Sequence, residues 1–541
     1  MGKILYNKDI IFLYSLLAIV YLTGLFIPLM ENDSAQHATM AMRMYIENDF
    51  INIIKGNTPY LDKPHLHFWL AALSFKIFGI KVWAYRIPAL LFTILGAFSA
   101  CKLAKEFYGN RAIHLASLIF LSSQAIILSN HDVRTDAVLT GCVIFSIWQL
   151  VLYFNYNNLK NAIFAGVGMG LAFSTKGLLG VVFILLSLFV YVIHSKKWHL
   201  VYSWKVLIGL LIMVLTMSPM LYAYYQQFGK TGIQFILWDQ SFNRLNAKGF
   251  GETSPDYLFF FHTLLWAFLP WAVIAYTAIG TKIKHLITSK YKFTNAKEIL
   301  SSVGFLIIML IISTSKFKLP HYINGLLPIL SVLVSGYIVS LHRKKKLKAL
   351  KNWNIFQTSI LILAFALVTS ICYFSFNTPP IHLSLLYIST LISCIYWLTR
   401  KLNFTRRLML TSVSMMALIN IILNTHFYPE LLNYQPGVHL KELAIKKNIN
   451  PKSIKIIEDF DPWSFEFSNE KNYDRYSISE LKKGDLVFVN KRNIRKLKAN
   501  NITWSKIIEL DKYRITRLSA KFLNPHKRDE VLEKAYIIRI N

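Results

Sequence analysis

The stretch "HLHFWLAALSFKIFG" (residues 65–79) decides how this chain is folded. It is apolar, yet it opens with two histidines and carries Lys76. As a helix it would reach only about 22 Å, short of a hydrocarbon core of about 30 Å. Such a segment suits a helix lying flat at the lipid headgroups. The reading matters because three apolar runs, 10–30, 65–79 and 87–106, separate Lys3 and Lys8 from the basic loop "KLAKEFYGNR" (102–111). Were all three to cross, the two basic ends would face opposite sides, against the positive-inside rule. With 65–79 lying flat, both are cytoplasmic. So are the basic loops 194–199, 281–297, 342–352 and 399–407.

Composition agrees. Of 541 residues, 54% are hydrophobic and only 16% charged, where soluble chains carry roughly 25% charged residues. The expected class is mainly α, a polytopic membrane protein with about thirteen crossings. They fall near 10–30, 87–106, 112–130, 137–155, 160–174, 178–194, 204–222, 257–280, 298–313, 321–341, 355–375, 381–399 and 407–425. The first run lacks a small-residue cleavage site and reads as a retained helix. Residues 1–425 would be the membrane domain, with outer loops at 31–86 and 223–256. Residues 426–541 turn polar, with short β-rich runs such as "DLVFVN", "YRITRL" and "AYIIRI", and read as a small outer α/β domain that shapes or covers a cavity. The formal charge of +32 follows from the inner loops and this region, so no nucleic-acid partner is implied. The four cysteines lack metal-ligand spacing and read as buried thiols.

The outer loops collect acids and bases. "MENDSAQHATMAMRM" (30–44) places Asp33 at a helix N-cap, where a plain capping role competes with handling an acceptor's proton. "KGNTPYLDKPHLHFWL" (55–70) supplies Tyr60 and Lys63, a cation that either snorkels to lipid phosphates or clamps one. "SNHDVRTDAVL" (129–139) holds Asp136, and its Arg134 reads as a partner in a surface Arg–Asp pair. "FSTKGLLG" (173–180) offers Lys176 in a tight turn, and "FILWDQSFNRL" (235–245) is an amphipathic interfacial segment with Arg244. "TSKFKLPHYINGLLP" (314–328) brings Lys318, His321 and Tyr322. Any one of these is an ordinary helix end, but charges converging from several loops describe a cavity. Its chemistry suits a sugar donor on a polyprenyl phosphate: cations stabilise the leaving phosphate, and a carboxylate serves the nucleophile on the opposite face. No nucleotide pocket is visible.

The segments "NDSAQHATMAMRM", "PYLDKPHLHFWLAALSFKIFG", "AYRIPALL", "VRTDAVLT", "AFSTKGLLG" and "SKFKLPHYINGLLP" occur in that order. In this the chain resembles the GT-C fold glycosyltransferases, above all the lipid A 4-amino-4-deoxy-L-arabinose transferase and protein O-mannosyltransferase group. The resemblance covers roughly residues 10–340. It implies a catalytic Asp at Asp33, a Tyr-x-x-Lys-Pro unit at Tyr60, Lys63 and Pro64, and a second acid at Asp136. It further implies Lys176 in a Thr-Lys-Gly turn, Lys318 and Tyr322 in a Lys-Leu-Pro-x-Tyr segment, and an Arg at Arg244. It also implies an undecaprenyl-phosphate-linked donor and inversion at the anomeric carbon. Where the family reads Asp-Glu-x-Arg-Tyr, this chain has Asp33, Ser34, Ala35, Gln36 and His37. That departure bears on the sugar and the acceptor, and His321 is the candidate to compensate.

The expected function is an inverting glycosyltransferase of the inner membrane, acting at its outer face on lipid A, another envelope glycan or lipid, or a protein. Asp33 would be base or acceptor-orienting carboxylate. Lys63, Lys318 and Arg244 would hold the donor phosphate, with Asp136 positioning sugar or cations. The carboxylates that could take a divalent metal are Glu31, Asp33 and Asp136, although their spacing is not that of a ligand set. The competing class is a transporter of lipid-linked sugars, which would favour internal repeats and midplane charges that the chain does not show.

Overall fold

The computed structural model describes residues 4–31, 33–245, 256–288 and 299–541. Among them, nine helical segments are long and apolar enough to cross a bilayer, and the chain is a multi-pass membrane protein. They are Asn7–Gly24, Val82–Tyr108, Thr135–Tyr156, Leu178–Ser195, Trp204–Asn243, Pro320–Arg343, Leu347–Ser375, Ile381–Thr399 and Phe404–Leu432. Helix Leu66–Phe78 has 13 residues and is too short to cross. It buries Phe68, Ala71, Ala72 and Phe75 against helices Asp33–Ile46 and Val82–Tyr108, leaving Leu73, Lys76 and Ile77 exposed.

The other four expected crossings take different forms. Leu159–Lys176 is a continuous helix rich in Gly and Ala. The 112–130 run breaks at Ser122–Ser123 into Ile113–Leu121 and Gln124–Leu128. The 257–280 run breaks before Trp271 into Phe259–Ala267 and Ala272–Thr288, with Pro270 between them. The two breaks answer each other. The Gln124 N–H donates to the Leu269 carbonyl at 3.2 Å, and the Trp271 indole donates to the Ser122 hydroxyl at 2.9 Å. Backbone freed from a helix is tolerated in such a bundle only when protein satisfies it. The fourth run is described from Ile299, where a wide π turn, Leu300–Gly304, leads into helix Phe305–Ser313.

Arg86 is a buried anchor at one end of the bundle. Fully enclosed in helix Val82–Tyr108, it donates to the His131 carbonyl at 2.8 and 3.0 Å and to Leu25 at 2.8 Å, and it reaches the Ile27 and Pro28 carbonyls. One guanidinium thus ties the exit of the first helix to the 129–134 loop. A lysine there keeps the charge but loses the fork. Arg86→Lys is therefore expected to lower stability by about 2 kcal/mol through carbonyls left unpaired, measured as a fall in Tm in detergent.

The C-terminal region contains a five-stranded sheet in the order Arg475–Tyr476, Lys455–Ile457, Leu486–Asn490, Glu533–Ile540, Trp504–Lys512. The first three strands pair parallel and the last two join antiparallel. The expected "YRITRL" run is not a strand; Arg475–Tyr476 fills an edge instead. Helix Trp463–Ser468 is one of its contacts with the membrane region. Trp463 and Phe467 enter the cluster behind helix Asp33–Ile46, and the Thr39 hydroxyl donates to the Trp463 carbonyl at 3.0 Å.

Glu31 joins the same seam. Its N–H donates to Gln435 Oε1 at 2.6 Å, and its carboxylate accepts from the Ser464 N–H at 3.0 Å and from the Ser464 hydroxyl. Burial pushes the Glu31 carboxyl from its ordinary 4.5 up to about 7, against the pull of the Ser464 hydrogen bonds. A carboxyl raised in the folded state stabilises fully below about pH 4.5, and that contribution is lost as pH rises through 7. Amide protection factors in residues 463–468, taken relative to the intrinsic exchange rate at each pH, are expected to fall between about pH 4.5 and 7, and Glu31→Gln should flatten that dependence.

Candidate functional site

Five chain segments meet at one end of the bundle. Asp33 opens helix Asp33–Ile46, one residue inside the helix rather than at its N-cap. A carboxylate in a first turn faces the positive end of the helix dipole. Asp136 likewise sits in the first turn of Thr135–Tyr156. Lys176 is the last residue of its helix, where a cation meets the negative end.

The turn after Lys176 needs glycine. Gly177 has φ +65°, and a Cβ there would lie 2.5 Å from Gln240 Oε1. The amide of Gln240 in turn donates to the Asp62 carbonyl at 2.5 Å. The 50–63 loop is pinned further by Tyr224, whose hydroxyl donates to the Leu61 carbonyl at 2.9 Å, and by Trp69, whose indole donates to the Phe50 carbonyl at 2.7 Å. Rigid helices therefore hold the loop that presents Tyr60, Asp62 and Lys63.

These elements enclose a pocket of about 160 Å³ lined by Asp33, His37, Tyr60, Asp62, Lys63, Arg134, Thr135, Asp136, Lys176, Phe317, Leu319, His321 and Tyr322. Its charges come as pairs. Arg134 bridges Asp33 at 2.9 Å and Asp132 at 2.8 Å. Lys63 meets Asp62 at 2.7 Å, and Lys176 meets Asp136 at 2.5 Å. The Tyr60 hydroxyl lies 3.4 Å from Asp62 Oδ2, His321 Nε2 lies 3.9 Å from Asp136 Oδ2, and the Lys176 ammonium sits 4.8 Å from the Tyr322 ring centroid. Asp33 is the open member, its side chain 43% exposed, whereas Asp136 and Lys176 are 5% and 2% exposed.

Burial works against the charge on Arg134, but Asp132 and then Asp33 push its pKa above the ordinary value. Burial, reinforced by Lys63 and Arg134, lowers His37 to about 3, so it faces the pocket neutral. A fixed set of cations beside an open carboxylate is the arrangement that stabilises a departing anion while orienting an incoming group.

Seven of the nine residues singled out from the sequence line this pocket: Asp33, Tyr60, Lys63, Asp136, Lys176, His321 and Tyr322. Lys318 does not. Its ammonium donates to the Asp256 carbonyl at 3.0 Å and lies 5.3 Å from the Tyr257 ring centroid, because alternate residues of the extended 317–319 stretch face opposite ways. The Arg244 side chain lies outside the described residues, although its backbone belongs to helix Gln240–Leu245. In the segment before it, Ile236 and Gln240 face inward while Trp238 stacks on Phe242 at 4.0 Å.

Sequence reasoning underrated Arg134, Asp62 and His37. The i, i+4 spacing of Asp33 and His37 was the available signal for the last of these. A divalent cation does not fit the residues considered for it: Glu31 turns to Ser464, Arg134 holds Asp33, and Lys176 holds Asp136. Among the described residues no three His, Cys, Asp or Glu side chains form a metal-ligating group.

Comparison with known proteins finds similar sequences and a similar fold. The profile of the dolichyl-phosphate-mannose-protein mannosyltransferase family matches residues 62–222. An undecaprenyl phosphate-alpha-4-amino-4-deoxy-L-arabinose arabinosyl transferase of Pseudomonas fluorescens is 25% identical over 68% of this chain and 65% of its own length. The corresponding enzyme of Wigglesworthia glossinidia brevipalpis is 23% identical over 86% of this chain and 81% of its own. The crystal structure of ArnT from Cupriavidus metallidurans bound to undecaprenyl phosphate superimposes with a TM-score of 0.77. It shares 15% identity, with 98% of each chain covered. The resemblance read from the ordered motifs is borne out, and the fold is of the GT-C type.

Proposed function

We propose that this chain is an inverting glycosyltransferase that moves a sugar from an undecaprenyl-phosphate-type donor to an envelope acceptor. The observation that carries this reading is the pocket's composition: an open Asp33 beside Arg134, Lys63 and Lys176. The printed activities of the relatives and the lipid named in the ArnT structure support it.

In this reading the bond between the anomeric carbon and the phosphate oxygen breaks as an acceptor oxygen attacks from the opposite face. The electron pair leaves with the phosphate, where Lys63, Arg134 and Lys176 stabilise the charge that develops. Asp33 orients the acceptor or takes its proton. Asp136 holds Lys176 in place, and His321 and Tyr322 form the wall against which the sugar rests. Lys318, expected from the sequence to hold the phosphate, would serve it only through its hold on the Asp256 carbonyl, whereas Arg244 keeps the phosphate-binding role proposed for it.

Thirteen crossings fit once the interrupted helices are counted with the nine long ones, and helix Leu66–Phe78 then lies at the headgroups. Residues 1–425 form the catalytic membrane domain and 426–541 an extracytoplasmic domain. That domain braces helix Asp33–Ile46 from behind, since none of its residues is among the pocket's described lining. The membrane is the inner one, with the pocket on its outer face. Mass spectrometry of envelope lipids, glycans and glycoproteins from cells with and without the protein tests the reading. A protein-dependent mass increment of one sugar on one acceptor class is expected; unchanged envelopes would overturn it.

A further inference from the structure

A second cavity lies at the opposite end of the bundle. Helix Val82–Tyr108 spans about 40 Å, so Tyr108 is far from Arg86 and the pocket beside it. The cavity, about 640 Å³, is four times the volume of the reaction pocket. Four helices end there: Val82–Tyr108, Leu178–Ser195, Ala272–Thr288 and Leu327–Arg343. They surround it with Lys105, Lys282, Arg343, Lys344 and the histidines 194 and 285.

Cations at helix C-termini are ordinarily there to answer the dipole, and basic residues on this side satisfy the positive-inside rule. Three observations exceed that explanation. First, the cations face a shared void: Lys282 lies 5.6 Å from the Tyr108 ring centroid, and Arg343 donates to the Tyr108 carbonyl at 3.3 Å. Second, the wall is shaped for the tyrosine. A Cβ at Gly336 would collide with the Tyr108 ring, so only glycine lets the ring seat there. Third, the Tyr108 hydroxyl is buried with no hydrogen-bond partner, while Thr281, Ser302 and Ser340 bring further hydroxyls to the lining. Among the described residues the lining has one carboxylate, Glu106, which accepts from the Asn155 amide at 2.7 Å and the Tyr156 hydroxyl at 3.0 Å.

We propose that this cavity binds a phosphate group, carried by an anionic lipid headgroup of the inner leaflet or by a soluble phosphate. Lys105, Lys282 and Arg343 supply the charge, and the Tyr108 hydroxyl donates to a phosphate oxygen. Basic pockets between helices on the cytoplasmic side are suited to such headgroups. The site is independent of the sugar-transfer reading, because none of its residues lines the reaction pocket.

The test compares the full chain with K105Q/K282Q/R343Q, with Tyr108→Phe, and with K345Q/K346Q, whose lysines belong to the adjoining loop but not to the lining. Native mass spectrometry reads retention of cardiolipin from nanodiscs, and calorimetry reads binding of inorganic pyrophosphate. About fivefold in affinity per cation predicts at least a twentyfold loss in the triple variant, a smaller loss in Tyr108→Phe and under twofold in K345Q/K346Q. Loss confined to cardiolipin supports the lipid source, and loss confined to pyrophosphate the soluble one. Equal binding by wild type and Tyr108→Phe, or equal losses in the lining and loop variants, overturns the proposal. Should the triple variant fail to fold, Tyr108→Phe decides alone.

Discussion

Replacing Asp33 by Asn is expected to lower sugar transfer by a factor of about 10²–10⁴, the range associated with a positioned acid–base group. The amide keeps the size and one acceptor oxygen but removes the charge that Arg134 holds at 2.9 Å. Arg134 retains Asp132 at 2.8 Å, so the loop should keep its shape and Tm should move little. With a side chain 43% exposed, Asp33 stands where an acceptor can reach it. Donor binding, carried by the cations, should stay within a few-fold of wild type. The kinetic signature is therefore a fall in kcat with little change in the donor KM. Wild-type turnover in Asp33→Asn would remove this residue from the chemistry.

The second large effect is on stability. Asp136 and Lys176 form a pair 2.5 Å apart, with side chains 5% and 2% exposed. Lys176→Met strands a buried carboxylate, which costs about 3–5 kcal/mol. His321, at 3.9 Å, is too distant to replace the ammonium. The double variant D136L/K176M removes both charges and is expected to regain at least half of that loss, because an apolar pair of similar volume can match a buried ion pair. Transfer should remain abolished in both, since the cation is gone from the pocket wall. Thermal unfolding of the two variants beside wild type separates the structural part of the pair from its part in the reaction.

The pocket end of the bundle was largely legible in the sequence because its residues sit at helix ends, where charge is conspicuous against apolar runs. Asp33, Lys63, Asp136 and Lys176 stood out for that reason, and the glycine after Lys176 marked the turn. The membrane path was less legible. The serines at 122–123 and Pro270 interrupt runs that hydropathy alone reads as continuous, and only the meeting of the two breaks explains why the bundle tolerates them. Lys318 was misplaced because its extended segment alternates faces, a period-two effect invisible among neighbouring basic residues. Arg134 was underrated for the opposite reason. Beside Asp132 and Asp136 it looked like a surface pair, and nothing local revealed that its partner lies 101 residues away at Asp33. The role of the C-terminal region depended on Trp463 and Ser464 finding helix Asp33–Ile46 and Glu31, contacts between distant parts of the chain that no local pattern encodes.

Sugar transfer at the pocket beside Asp33 is the step on which the other roles depend. The most direct measurement uses the full chain in nanodiscs, a polyprenyl-phosphate donor with an isotope-labelled sugar, and a membrane extract as acceptor. One molecule of polyprenyl phosphate should appear for each labelled sugar newly bonded to acceptor, with the anomeric configuration inverted. Movement of intact donor between leaflets, with no new glycosidic bond and no polyprenyl phosphate released, would contradict it.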